Sequence, residues 1–136
     1  MPTITRFEDI EAWKTARELT RMIYSLTDQG PFAKGFGLRN QIQRAAVSVM
    51  SNIAEGFESR TQAQFLEYLG RSKASAGEVR CQLYIALDLK YLAQEQFKQA
   101  FDLADKSSRQ IARFMIYLET HPQSRRVRDE GLEYEV

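Results

Sequence analysis

The chain has 136 residues, of which 43% are hydrophobic and 27% charged, with 7 Gly, 3 Pro and one cysteine. This is enough for one domain with a buried core, and 19 basic against 18 acidic residues leave a net charge of +1, too small an excess for a dedicated nucleic-acid binder acting as a single copy. Cys81 has no intramolecular disulfide partner, no Cys/His spacing matches zinc, and neither a run of membrane length nor a basic-then-apolar leader is present; the expectation is a cytoplasmic protein without metal, cofactor or membrane association.

Thr5 and Glu8 have capping-box spacing for a first helix from about Phe7 to Thr27, in which Ile10, Trp13, Ala16, Leu19, Ile23 and Leu26 recur at threes and fours. Asp28-Gln29-Gly30-Pro31 ends it. A loop through Phe32, Gly35 and Gly37 leads to a second helix, about Leu38 to Glu55, with Gly56 placed as a left-handed terminating residue. Thr61 with Gln64 opens the third helix, about Gln62 to Tyr91. Its residues Phe65, Leu69, Ser72, Ala76, Val79, Leu83 and Ala86 form a heptad seam. The small residues of Ser72 to Gly77 read as filling for a tight core, and Cys81, beside Leu83, as a small buried hydrophobe. The fourth helix, about Gln94 to Glu119, has the seam Phe97, Phe101, Ala104, Ser108, Ile111, Met115 and Leu118, and His121-Pro122 stops it. Four helices with short connections predict an all-α fold, an antiparallel up-down four-helix bundle over 1–121. Residues 122–136 read as a mobile charged tail.

The second helix is the most informative. At about 100° per residue its apolar residues, from Leu38 through Ile42, Val49 and Ile53 to Met50, Ala54 and Val47, sweep roughly 200°. A helix with one face on a core needs little more than 100°. The excess predicts a second buried surface, most simply a subunit interface at Val47 and Met50. The opposite face holds Gln41, Arg44, Ser48, Ser51, Asn52 and Glu55. Ser and Asn are weak helix formers because they compete for backbone hydrogen bonds. Their concentration mid-helix predicts a structural polar network, with Arg71 and Glu78 of the third helix as partners for the charged members.

Phe7-Glu8-Asp9-Ile10 with Trp13, Gly37-Leu38, Arg44-Ala45-Ala46 and above all Ser51-Asn52-Ile53-Ala54-Glu55-Gly56-Phe57 resemble the intervening-sequence proteins of bacterial large-subunit ribosomal RNA. Phe65, Leu69, Ser75, Glu78, Gln82-Leu83 and Tyr91-Leu92 extend the resemblance, which covers about Phe7 to Glu119. It implies a left-handed up-down four-helix bundle that assembles as a homopentamer. A related branch comprises accessory proteins of diversity-generating retroelements that bind a reverse transcriptase and nucleic acid. Gln43 and Met50 stand where the family commonly has Arg and Pro, and without proline the second helix should run straight.

Three functions compete. An oligomeric, non-enzymatic accessory protein would contact RNA or DNA phosphates through Lys34, Arg39, Arg60, Arg71, Lys73 and Arg80. A scaffold for a partner protein suits the near-neutral charge. An enzyme is disfavoured: a di-iron bundle needs paired Glu-x-x-His motifs, no Gly-rich phosphate loop is present, and the single histidine, His121, follows the last helix.

Overall fold

The computed structural model describes residues 4–122, and its regular structure is entirely helical. A 3-10 turn, Phe7–Asp9, precedes α1 (Glu11–Thr27); α2 (Gly30–Lys34) is a short connector; α3 (Phe36–Glu58), α4 (Gln62–Asp88) and α5 (Gln94–Thr120) are the long helices that follow. The main packing pairs are α1 with α3, α3 with α4, α4 with α5 and α5 with α1. Each long helix therefore touches two others and must bury a wide arc.

Local chemistry explains most boundaries. Thr61 and Gln64 form the expected box: the Gln64 amide donates to Thr61 Oγ1 at 3.1 Å, and Gln64 Oε1 accepts from the Thr61 amide at 3.2 Å. Thr5 and Glu8 do not cap the first helix. The chain is extended at Ile10, which has no side-chain cap bond, and α1 begins after it. Ile10 is buried, and Phe7 packs edge-on to Trp13 at 5.2 Å, so apolar contact sets this entry. Gly30 takes a left-handed φ of 56° and Pro31 occupies the first turn of α2, where its missing N–H costs nothing. The expected loop is thus partly helical. α4 ends earlier than its pattern predicts, at Asp88, and Lys90 adopts a φ of 61°.

Gly56 corrects the sequence reading. It does not terminate α3, which continues to Glu58. A Cβ there would stand 2.8 Å from Tyr68 Cβ and 2.9 Å from Phe65 Cδ1. The residue is small because α3 and α4 meet closely, not because the backbone turns left-handed. α3 also runs unbroken through Met50, as the absence of proline predicts.

The core has two apolar parts. One gathers Leu19, Ile23, Phe32, Ile42 and Leu83; the other gathers Val49, Ile53, Phe65, Leu69 and Ile111. Where they adjoin, the long helices contribute small side chains: Ala16, Ala46, Ala76 and Ala104, all fully buried. All seven residues of the predicted α4 seam are buried. Of the predicted α5 seam, Ala104, Ser108, Ile111 and Leu118 are buried, while Phe97, Phe101 and Met115 are half-buried against the core; Ala100, Ser107 and Phe114 are buried beside them. Phe97 and Phe101 also cluster with the exposed Tyr84 of α4, at ring separations of 5.1 and 5.5 Å. Cys81 is exposed, contrary to its reading as a buried hydrophobe: it lies two residues from Leu83, on the far side of α4.

Candidate interaction surfaces on α3 and α4

Helical spacing gives α3 three faces: one on the core, one on α4 and one outward. Toward α4 the side chains are small and polar. Ser48 and Ser75 share a hydrogen bond at 2.9 Å. Asn52 Nδ2 donates to Ser48 Oγ at 2.8 Å and to the Ser48 carbonyl at 2.9 Å. Deeper in, the buried Ser72 hydroxyl donates to the Val49 carbonyl at 2.6 Å. These contacts tie α4 to mid-α3 over about two turns. Each hydroxyl finds its partner across the helix pair, which offsets the desolvation that burial would otherwise impose.

The charged members of the same stripe lie further out. Gln41, Arg44, Glu55 and Glu78 are exposed, and Ser51 is half-buried. Arg71 pairs with Glu67 of its own helix at 2.8 Å and lies over the Tyr68 ring. Glu78 accepts from Gln82 Nε2 at 3.4 Å. Arg44 and Glu55 form no ion pair among the described residues. The Ser–Asn chain is therefore the tightly bonded part of the stripe, and the charges border it. Ser72 and Ser75 complete the chain from the α4 side. Their signal in the sequence is a serine at a heptad core position and another three residues on.

The six candidate phosphate-binding cations do not converge. Lys34 and Arg39 lie at the α2 end of α3 and Arg60 lies beyond its other end, roughly 35 Å away at 1.5 Å per residue. Three have contacts within the chain. Arg39 Nη1 donates to the Ala33 carbonyl at 3.0 Å and its guanidinium lies over Phe36. Arg71 is held as above. Arg80 pairs with Asp105 at 3.8 Å, and Asp105 also binds Arg109 at 3.0 Å. Lys34, Arg60 and Lys73 are exposed and form no ion pair among the described residues.

The outward face of α3 mixes exposed apolar and polar residues. Val47 is 37% exposed and Phe36 62%, with Asn40 between them in helical register. Met50 is half-buried against the core. Beside them on α1, Tyr24 is 45% exposed. The Thr20 hydroxyl bonds the Ala46 carbonyl at 3.1 Å, and Gln43 Nε2 donates to Thr27 Oγ1 at 2.9 Å. Tyr24 falls between Thr20 and Thr27 and so borders α3. Its signal in the sequence is a large aromatic residue off the core stripe of α1. The outer face of α4 carries Gly70, Ala74, Gly77, Cys81 and Ile85. A Cβ on Gly70 would meet nothing within 4 Å, and one on Gly77 would meet only Arg80 Nη2, at 3.7 Å. Each glycine costs a helix interior about 1 kcal/mol relative to alanine, and no packing among the described residues requires either.

Among the described residues no group of three or more His, Cys, Asp or Glu side chains is placed to hold a metal ion. No described helix is long and apolar enough to cross a membrane.

These features define an all-helical bundle protein with a polar α3–α4 seam and apolar residues left on its outer faces. The family model described as 23S rRNA-intervening sequence protein matches residues 8–113, and the chain belongs to that family. No curated protein matches it. Among solved structures it is similar to a protein of unknown function of the S23 ribosomal protein family from Bacteroides thetaiotaomicron, determined at 1.70 Å, with a TM-score of 0.71 and 19% identity over 76% of this chain and 94% of that one. At that identity the likeness shows the fold alone.

Proposed function

We infer that the protein is a non-enzymatic, self-assembling accessory protein of the ribosomal RNA intervening-sequence type, acting in the cytoplasm on a nucleic acid or a nucleoprotein. The four long helices, in their cyclic order of packing, support an up-down antiparallel bundle, and the left-handed twist is the one the family resemblance implies. The Gln62 side chain at the start of α4 bonds the Leu118 carbonyl at the end of α5, as antiparallel neighbours require.

One observation carries the assembly: large apolar side chains remain exposed on the outward face of α3 and the adjoining edge of α1 after the core is filled. Val47 and Met50 belong to this face. The homopentamer implied by the family resemblance is the stoichiometry we propose. It also bears on nucleic-acid contact. One chain offers Lys34, Arg60 and Lys73 at separate places, while a ring repeats each of them around its axis and sums their fields. Measured against RNA and duplex DNA at about 50 mM salt, where phosphate contacts are strong, the assembled protein should bind, and binding should weaken steeply as salt rises. No binding at that salt would refute the nucleic-acid role.

A protein-interaction scaffold is the second reading. The near-neutral charge and the contacts of Arg39, Arg71 and Arg80 within the chain favour it. Recovery of the native protein with a stoichiometric protein partner and no nucleic acid would decide for it.

A further inference from the structure

We propose that residues 94–110 of α5 form a flap over one of the two parts of the core, lifting off α1 and α4 while the rest of α5 stays in place.

The two stretches of α5 are held differently. From Ile111 onward the helix buries large side chains: Ile111, Phe114 and Leu118 join Ile53, Phe65 and Leu69. Phe114 packs edge-on to Phe65 at 5.6 Å, and the Leu118 carbonyl accepts from Gln62 Nε2 at 2.7 Å. Before Ile111 the same helix buries only small side chains: Ala100, Ala104, Ser107 and Ser108. Its larger residues there, Phe97, Phe101 and Leu103, are only half-buried against the part of the core built on Leu19, Ile23, Val79 and Leu83. Apolar area removed from water is the main adhesive between helices, and this stretch removes little per turn.

Polar contacts divide the bundle in the same way. Hydrogen bonds from Thr20 and Gln43 join α1 to α3, and those of Ser48, Ser72 and Ser75 join α3 to α4. Over 94–110, no described side chain of α5 hydrogen-bonds to another helix. Asp105 pairs with Arg80 of α4 at 3.8 Å but is shared with Arg109, and an exposed pair of this kind holds weakly. Ser107 is 0% exposed and Ser108 5%, and neither hydroxyl has a partner among the described residues, nor does Gln110 Oε1. A buried hydroxyl without a partner favours the state that returns it to water, which here is the open one. The segment keeps its helical form on its own: Lys98 bonds Asp102 and Arg109 bonds Asp105, both at 3.0 Å and both four residues apart, a spacing that supports an isolated helix. It can therefore lift as one piece, a sub-global opening that uncovers Leu19, Ile23, Val79 and Leu83. Its two ends are the connection at 89–93, where Lys90 has a φ of 61°, and the point near Ile111 where large buried side chains begin.

The test is the labelling of a buried thiol by the disulfide reagent DTNB under native conditions, in the full chain with the exposed Cys81 replaced by serine. Ser107→Cys and Ser72→Cys are matched substitutions: both positions are 0% exposed, one on α5 and one on α4. Ser72→Cys also weakens the bond to the Val49 carbonyl, which biases the comparison against the proposal. The thiol of Ser107→Cys should react about tenfold faster or more, with no matching drop in the unfolding midpoint. Equal rates, or faster reaction in Ser72→Cys, would overturn the flap. Ser108→Cys gives the same reading should Ser107→Cys fail to fold. The role of the hydroxyls has its own arm: Ser107→Ala should slow the labelling of Ser108→Cys. Acceleration instead would show that the Ser107 hydroxyl is satisfied in the closed helix, and would also overturn the proposal.

Discussion

α4 is built of small residues on two sides, and the two sides behave differently. Facing α3, smallness is fully used. Gly56 of α3 admits Phe65 and Tyr68 of α4 at a distance where a Cβ would collide, Ser72 of α4 reaches the Val49 carbonyl, and Ala76 is fully buried. Facing outward, among the described residues a Cβ on Gly70 would meet nothing within 4 Å and one on Gly77 only Arg80 Nη2, at 3.7 Å. Identical residue types therefore carry different meanings. A glycine whose Cβ would clash is explained by its own fold. A mid-helix glycine in open space lowers helix stability with no packing return among the described residues.

Substitutions on the two sides should separate these meanings. The largest effect belongs to the inner side: Leu69→Ala, at a fully buried position, should cost about 2–5 kcal/mol in denaturant unfolding, with a lower midpoint and little change in slope. Next is Gly56→Ala. Overpacking against Phe65 and Tyr68 costs roughly 1–3 kcal/mol, offset in part by alanine's helix preference of about 1 kcal/mol, and the same titration should show net destabilisation. Ser72→Ala removes one buried hydrogen bond and should cost about 0.5–1.5 kcal/mol. On the outer side the sign reverses. Gly70→Ala and Gly77→Ala should each stabilise the chain by about 1 kcal/mol or less in the same titration. If both outer substitutions destabilised the chain, the contrast between the two sides would fail.

Much of this was legible in the sequence, for identifiable reasons. The α4 seam was readable because a heptad of apolar and small residues leaves few alternatives over 27 helical residues. Thr61 with Gln64 was readable because a capping box is local. Thr5 with Glu8 had the same spacing and failed, because burial of Ile10 and the Phe7–Trp13 contact outweighed a local hydrogen bond. The α5 seam was legible only in part: Ala104, Ser108, Ile111 and Leu118 are buried, but the half-burial of Phe97 and Phe101 beside Tyr84 shows only in the tertiary placement. Gly56 and Cys81 were misread for a common reason. A small residue does not state which neighbour it faces. At the candidate surfaces, the sequence located the Ser–Asn stripe of α3, but spacing alone could not show that its charged members lie outside the bonded chain.

The central claim is that the outward face of α3, with Tyr24 beside it, is covered by other copies of the protein. Mass-resolved chromatography of the native protein, with its absorbance ratio for nucleic acid, tests it most directly. The account predicts a discrete particle of about five times the 15.7 kDa chain mass, losing mass when Val47 and Phe36 are both replaced by charged residues. A single species at 15.7 kDa would contradict it.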